Sequence, residues 1–341
     1  MGESRGRVWT GVVRVAPYRG EHRVAIRAAV CIAVPLLVLW LIGRLDLSVF
    51  ATFGAFASLY GRFDRYPDRL RMQLSAAGTL ITAMLIGTAV AVLDAPDIVR
   101  VAVVAVVAAA VALLAEANRW HPPGALFAVF AAGATATLPV GPVAFAEVLL
   151  VGGAAAAFSL LVTVGIALVR GGVRSEGPRR AGRGIDGQAW QLAFTVGVGA
   201  LLAGLAGLLL VGTHWYWAMV AAVAALGGAH VTARIIRGLQ RLVGTAIGVL
   251  IAAGLLELQL PPLATILVAV ICQVGAELFI ARNYGIAMLF ITPLALLMIE
   301  LAVPADPAEL LGDRLLDTLI GVAVGTLVAV GSATLRRRAP A

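Results

Sequence analysis

Arg234, Arg237 and Arg241 follow one another at spacings of three and four, so a helix through them presents all three guanidiniums on one face. Arg69 and Arg71 occupy a matching stretch nearer the N-terminus. A guanidinium stays charged at any physiological pH and binds a carboxylate through two parallel N–H donors, so such a cluster would gather organic anions. Arginines in these places also orient a chain in a membrane or meet anionic lipid headgroups, and spacing alone does not choose between the roles. A second group, His214-Trp215-Tyr216-Trp217, stands at the edge of an apolar block. Rings with a polar tip belong at a membrane interface, and the same rings would stack on an aromatic substrate. Four acids, Glu116, Glu147, Glu277 and Asp317, lie in or beside apolar blocks. An ionisable group at the bilayer centre costs about 2.5–3.5 kcal/mol on insertion scales, so each is kept for a reason. Asp317, Glu277 and Glu116 are the candidates for carrying a proton, and Asp317, three residues after Arg314, is also placed to pair with it.

Other chemistries lack their residues. The chain has no Walker A loop, no Ser/His/Asp arrangement and no His-Glu-x-x-His helix, which gives ATP-driven pumping and metal-assisted hydrolysis no support. His22, His121, His214 and His230 share no metal-ligand spacing. Cys31 and Cys272 both fall inside apolar blocks and read as small packing residues. The expectation is a protein that is not an enzyme, with no cofactor and no metal.

Apolar segments must position these groups. Of the 341 residues 61% are hydrophobic and 13% charged, about half the charge of a soluble domain, which carries roughly 25%. The apolar residues come in blocks of about 20, enough to cross a hydrocarbon core of ~30 Å as helix. The expected spans are Val24–Gly43, Leu47–Gly61, Met72–Leu93, Ile98–Ala115, Gly124–Pro139 and Phe145–Val169, then Trp190–Gly212, Trp215–Gly228, Leu242–Leu256, Leu263–Ile280, Tyr284–Leu301 and Leu315–Leu335. The net charge of +8 is carried by arginine alone, in short clusters between blocks, which is the pattern of loop charges and not of a nucleic-acid surface. With a cytoplasmic N-terminus, 23 arginines fall on the inner side and only Arg44, Arg100 and Arg314 on the outer, where most loop acids collect. The expectation is an all-α integral membrane protein of twelve helices with both termini cytoplasmic. The first block lacks a convincing cleavage site and reads as an uncleaved first span.

The two halves echo each other. Pro67–Thr79 lies on Ala233–Thr245 without a gap, bringing Arg71 onto Arg237 and Gly78-Thr79 onto Gly244-Thr245. Ala115-Glu116 precedes Asn118-Arg119 as Ala276-Glu277 precedes Arg282-Asn283. An even number of spans per half makes the repeats parallel. The expected layout is a basic N-terminus 1–22, a first six-helix half 23–169, a cytoplasmic linker 170–188, a second half 189–335 and a basic tail 336–341. The second span of each half is short, and prolines edge or interrupt the fifth (Pro122 and Pro123; Pro293). Short or broken segments at matching positions point to a central substrate site, against the plainer reading of a thin, tilted bundle. Gly244 with Gly248, and Gly321 with Gly325, are small-xxx-small motifs for close helix packing.

Trp215-Tyr216-Trp217-Ala218, the run Arg237–Gly248 and the run Asp313–Gly321 together resemble the fusaric-acid-resistance-like membrane domain, a family with bacterial aromatic carboxylic acid exporters. The resemblance covers roughly Trp190 to Gly331 and reaches the first half through the repeat. It implies two facing six-helix units and export of organic anions across the cell's inner membrane, with a small-molecule organic anion and the lipid bilayer as partners, no nucleic acid, and room for a homo-oligomer. Larger exporters of this kind place a sizeable soluble region between the halves, whereas the connector here is short. The candidate anion-binding residues are Arg71, Arg234, Arg237 and Arg241 with His214, Trp215 and Trp217. A passive anion channel and a non-transporting scaffold for envelope machinery are the alternatives.

Overall fold

A block of twenty apolar residues forms a helix in hydrocarbon because only its own backbone can satisfy its N–H and C=O groups. The computed structural model describes residues 10–169, 184–228, 231–303 and 305–338, and among them the regular elements are helices. They run α1 (His22–Leu41), α2 (Leu45–Leu59), α3 (Tyr66–Val92), α4 (Asp97–Ala117), α5 (Leu126–Ala136), α6 (Ala144–Val169), α7 (Gly187–Leu210), α8 (Tyr216–Leu226), α9 (Val231–Glu257), α10 (Pro262–Phe279), α11 (Tyr284–Ala302) and α12 (Pro307–Arg338). Among the described residues nine of these are long and apolar enough to cross a membrane, and α2, α5 and α8 are shorter apolar helices. The protein is therefore a multi-pass, all-α integral membrane protein. Most of the expected linker, the start of the basic N-terminus, His230 and the last three residues of the tail lie outside the described residues.

Burial sorts the helices into two shells. Large exposed apolar side chains decorate α1, α3, α4, α6, α7, α9, α10 and α12, for example Ile26, Leu74, Val106, Leu161, Phe194, Leu250, Ile271 and Leu327. Side chains of this kind are absent from α2, α5, α8 and α11. Every residue of α8 is buried, as is every residue from Leu47 to Leu59 in α2. The four inner helices are enclosed by protein and form a core around which the other eight stand against lipid.

The packing is reciprocal. In the first half α3 packs on α5 and α2 on α6; in the second α9 packs on α11 and α8 on α12. Between the halves, α4 lies on α7 and α10 lies on α1. Glycine permits the tightest of these crossings. A Cβ on Gly321 of α12 would come within 2.2 Å of the Ala218 carbonyl oxygen of α8, and one on Gly244 of α9 within 2.3 Å of the Gly285 carbonyl oxygen of α11. Both small-xxx-small motifs are thus packing seams.

Three helices begin well before the hydropathy blocks suggest, α3 at Tyr66 and two that carry candidate residues. α9 starts at Val231, so Arg234, Arg237 and Arg241 belong to its first three turns and not to a loop. α12 starts at Pro307, where proline suits the first turn and the Asp306 carboxylate accepts the Ala308 N–H at 2.8 Å. Arg314, expected in an outer loop, consequently lies inside a helix together with Asp317. Replacing Gly321 by Ala should destabilise the protein by about 1–3 kcal/mol, since the clash is with backbone. Gly78→Ala, with nothing within 4 Å of the new Cβ, should be neutral or slightly stabilising. Thermal unfolding in detergent micelles distinguishes the two.

Candidate functional site

Where α2 and α5 end inside the protein, their last carbonyls are left without water. Side chains from neighbouring helices supply the donors, and arginine recurs among them. At the end of α2, Arg27 donates to the Ser58 carbonyl at 3.0 Å, Gln73 to those of Ser58 and Tyr60 at 3.3 and 3.2 Å, and Arg69 to that of Gly61 at 3.0 Å. At the end of α5, Arg100 donates to the Ala136 carbonyl at 3.0 Å. Beyond the end of α8, Arg234 donates to the Gly228 carbonyl at 3.0 Å. Arg234, a candidate ligand on spacing, therefore holds a helix end. Arg71 is exposed on α3.

The inner helices enclose a cavity of about 1210 Å³ including its mouth. All three short helices line it, with α11, parts of α9 and α10, and Arg314 of α12. One wall comes from the first half and is aromatic: Phe53 and Phe56 of α2 meet Phe130 and Phe127 of α5, each pair with centroids 5.1 Å apart. The second half supplies most of the charge. Arg237 lies over the Tyr284 ring at 4.2 Å, and Arg241 donates through Nη1 to the Tyr284 hydroxyl at 2.6 Å, so one tyrosine holds two guanidiniums. Arg62, just beyond α2, pairs with Glu277 of α10 at 2.6 Å, and Gln273 donates to the other Glu277 oxygen at 3.2 Å. Arg314, 1% exposed, lies 5.0 Å over the Trp217 ring. The charged lining residues are thus four arginines against one glutamate.

Several guanidinium nitrogens here have no protein partner: Nη1 of Arg62, Nε of Arg237, Nε of Arg241, and both Nε and Nη1 of Arg314. Buried donors with nothing to donate to are costly, and an anion in the cavity would supply acceptors to a positive, partly dry site. The apolar wall opposite would take the body of such a molecule.

Of the residues singled out on spacing, Arg237, Arg241 and Glu277 line the cavity; Arg71, Arg234, His214, Trp215, Trp217, Asp317 and Glu116 do not. Trp215 and Trp217 are 1% and 0% exposed, packed in the protein core and not facing lipid. His214 stacks on Trp217 with centroids 4.6 Å apart, and its Nδ1 lies 2.7 Å from Asp313. Asp317 is buried, and no hydrogen bond links it to Arg314. Glu116 is half-buried near the end of α4. Spacing missed Arg62 and Arg314. A signal for Arg314 did exist, because it is one of three arginines on the acidic side of the charge pattern. Arg44 meets Asp46 and Glu147 at 2.9 and 2.7 Å, and Arg100 meets Asp94 at 3.2 Å. Among the described residues Arg314 has no such ion pair, and its Nε and Nη1 have no hydrogen-bond partner. Among the described residues no group of His, Cys, Asp and Glu is arranged to hold a metal.

The Arg62–Glu277 pair joins the halves, and its side chains are 10% and 4% exposed. Removing either charge alone (Arg62→Gln or Glu277→Gln) should destabilise by roughly 3–5 kcal/mol, because it leaves the other ion unpaired. The double variant should regain most of that loss, as read by thermal unfolding.

Comparison with known proteins agrees with a membrane protein. The chain is 32% identical over 124 residues to a protein of Bacillus subtilis (strain 168) named "Uncharacterized membrane protein YvaC". The match takes in 36% of this chain and 19% of that protein, so the chain spans about a fifth of the relative's length. No solved structure matches the chain. Residues 185–328, from just before α7 into α12, match the family model described as fusaric acid resistance protein-like.

Proposed function

We propose that the protein is a transporter of organic anions, aromatic carboxylates foremost, and that it exports them across the cell's inner membrane. The observation that carries this reading is the cavity, with four arginines and one glutamate among its lining residues and phenylalanines on the facing wall. An apolar body with a carboxylate at one end matches that division, and the family of residues 185–328 supports transport. Arg237, Arg241, Arg62 and Arg314 form the anion-binding set. Glu277 in the cavity wall and Asp317 close to it are the acids placed to couple protons, while Glu116 lies away from the cavity.

The same reading takes all twelve helices as crossings, in two parallel repeats with both termini in the cytoplasm. Reciprocal packing supports the repeat: α3 on α5 answers α9 on α11, and α4 on α7 answers α10 on α1. Burial along the whole of α8 and over most of α2 and α5 supports their crossing as short, enclosed segments.

The test is uptake of a panel of aromatic and aliphatic carboxylates into proteoliposomes, with and without an imposed proton gradient. Aromatic carboxylates should be taken up, and Arg237→Gln with Arg241→Gln should cut the rate at least about tenfold with insertion unchanged. Accumulation only while protons flow marks a coupled carrier. Flux that merely equilibrates marks a channel, and no flux of any anion would contradict transport and favour a scaffold.

A further inference from the structure

Arg314 and Asp317 share one face of α12 inside the protein, with exposures of 1% and 0%. Opposite charges three residues apart in a helix are placed to bond, yet these do not. Neither oxygen of Asp317 has a hydrogen-bond partner, and neither do Nε and Nη1 of Arg314. The guanidinium lies over Trp217 and lines the cavity. The carboxylate turns the other way, against α7, where a Cβ on Gly207 would stand 2.8 Å from its Oδ1.

Two opposite charges buried side by side without a hydrogen bond leave polar atoms of both unsatisfied, which an anion on the guanidinium and a proton on the carboxylate would answer. No other side chain around Asp317 bonds to it. α7 carries no ionisable side chain along its whole length. From the approach to α8 come His214, engaged with Asp313, and the Tyr216 phenol. α9 contributes Arg241, which is held by Tyr284 of α11. On α12 itself, Asp313 is a like charge.

We propose that an anion on Arg314 and a proton on Asp317 are bound together: the pair opens when both arrive and closes on itself when both leave. The proton comes from water and forms the neutral carboxylic acid, and the anion takes its place as counter-ion to the guanidinium. The net charge of the site is unchanged, so anion and proton bind cooperatively, and protons are taken up and not expelled when the anion binds. This rests on the anion-transport reading and adds its coupling.

The purified full chain, weakly buffered at about pH 7.5 where benzoate is ionised, is titrated with benzoate while an indicator dye follows protons. About one proton should be absorbed per benzoate bound. Asp317→Asn should bind benzoate without that uptake, and Arg314→Gln should bind at least about tenfold more weakly. Proton release on binding, binding with no proton change, or undiminished uptake in Asp317→Asn would overturn the proposal. Should the variants fail to fold, calorimetry of the unaltered protein in two buffers of different ionisation heat decides, a heat independent of buffer being the contrary result. If the unaltered protein binds no carboxylate at all, the transport reading fails and the coupling with it.

Discussion

A helix that stops inside a bilayer leaves carbonyls with no water to bond, and each unsatisfied group costs several kcal/mol there. The helices α2, α5 and α8 are the shorter apolar ones, and α2 and α5, which end among buried residues, meet that constraint. The protein answers it with enclosure and with arginine. The short helices are wrapped by the outer eight, and guanidiniums on other segments reach in to take the stranded carbonyls of Ser58, Gly61 and Ala136. Because those donors come from α1, α3 and α4, the ends of α2 and α5 are fixed to the shell, and Arg234 of α9 reaches the exposed Gly228 carbonyl beyond α8. Short helices, in turn, leave room between them, and the cavity occupies that room.

Once arginines are committed to the interior, those not engaged in capping need another counterpart. Glu277 provides one for Arg62 and Tyr284 serves Arg237 and Arg241, while Arg314 has only the face of Trp217. The resulting surplus of positive charge faces a wall of phenylalanine from the first half. Neither half alone would make this site, since the apolar wall and most of the charge lie on opposite sides of the seam between them.

Much of this was legible in the sequence. Composition and block length announced a helical membrane protein, and the brevity of the second span in each half pointed to where the inner helices lie. The arginine ladder at 234, 237 and 241 was visible as well, but spacing could not divide it. Helix geometry puts all three on one face, and only the fold shows Arg237 and Arg241 at the cavity while Arg234 turns to the Gly228 carbonyl. The tryptophans misled for a related reason. An amphipathic ring at the edge of an apolar block looks interfacial, yet α8 is enclosed on every side and its rings pack inward. Arg314 was hidden because α12 begins eight residues before the apolar block does, which turns an apparent loop charge into a helix residue. The Arg62–Glu277 pair joins segments from different halves, and no local pattern encodes such a contact.

The central claim is that an organic anion occupies the cavity, its carboxylate toward the arginines and its body against the phenylalanines. The most direct measurement is an experimental structure of the protein saturated with 4-iodobenzoate, whose iodine marks the ring end and whose carboxylate marks the other. The account predicts iodine among Phe53, Phe56, Phe127 and Phe130, with the carboxylate turned to Arg237, Arg241 or Arg314. Iodine confined to the lipid-facing surface, with the cavity empty at saturating ligand, would contradict it.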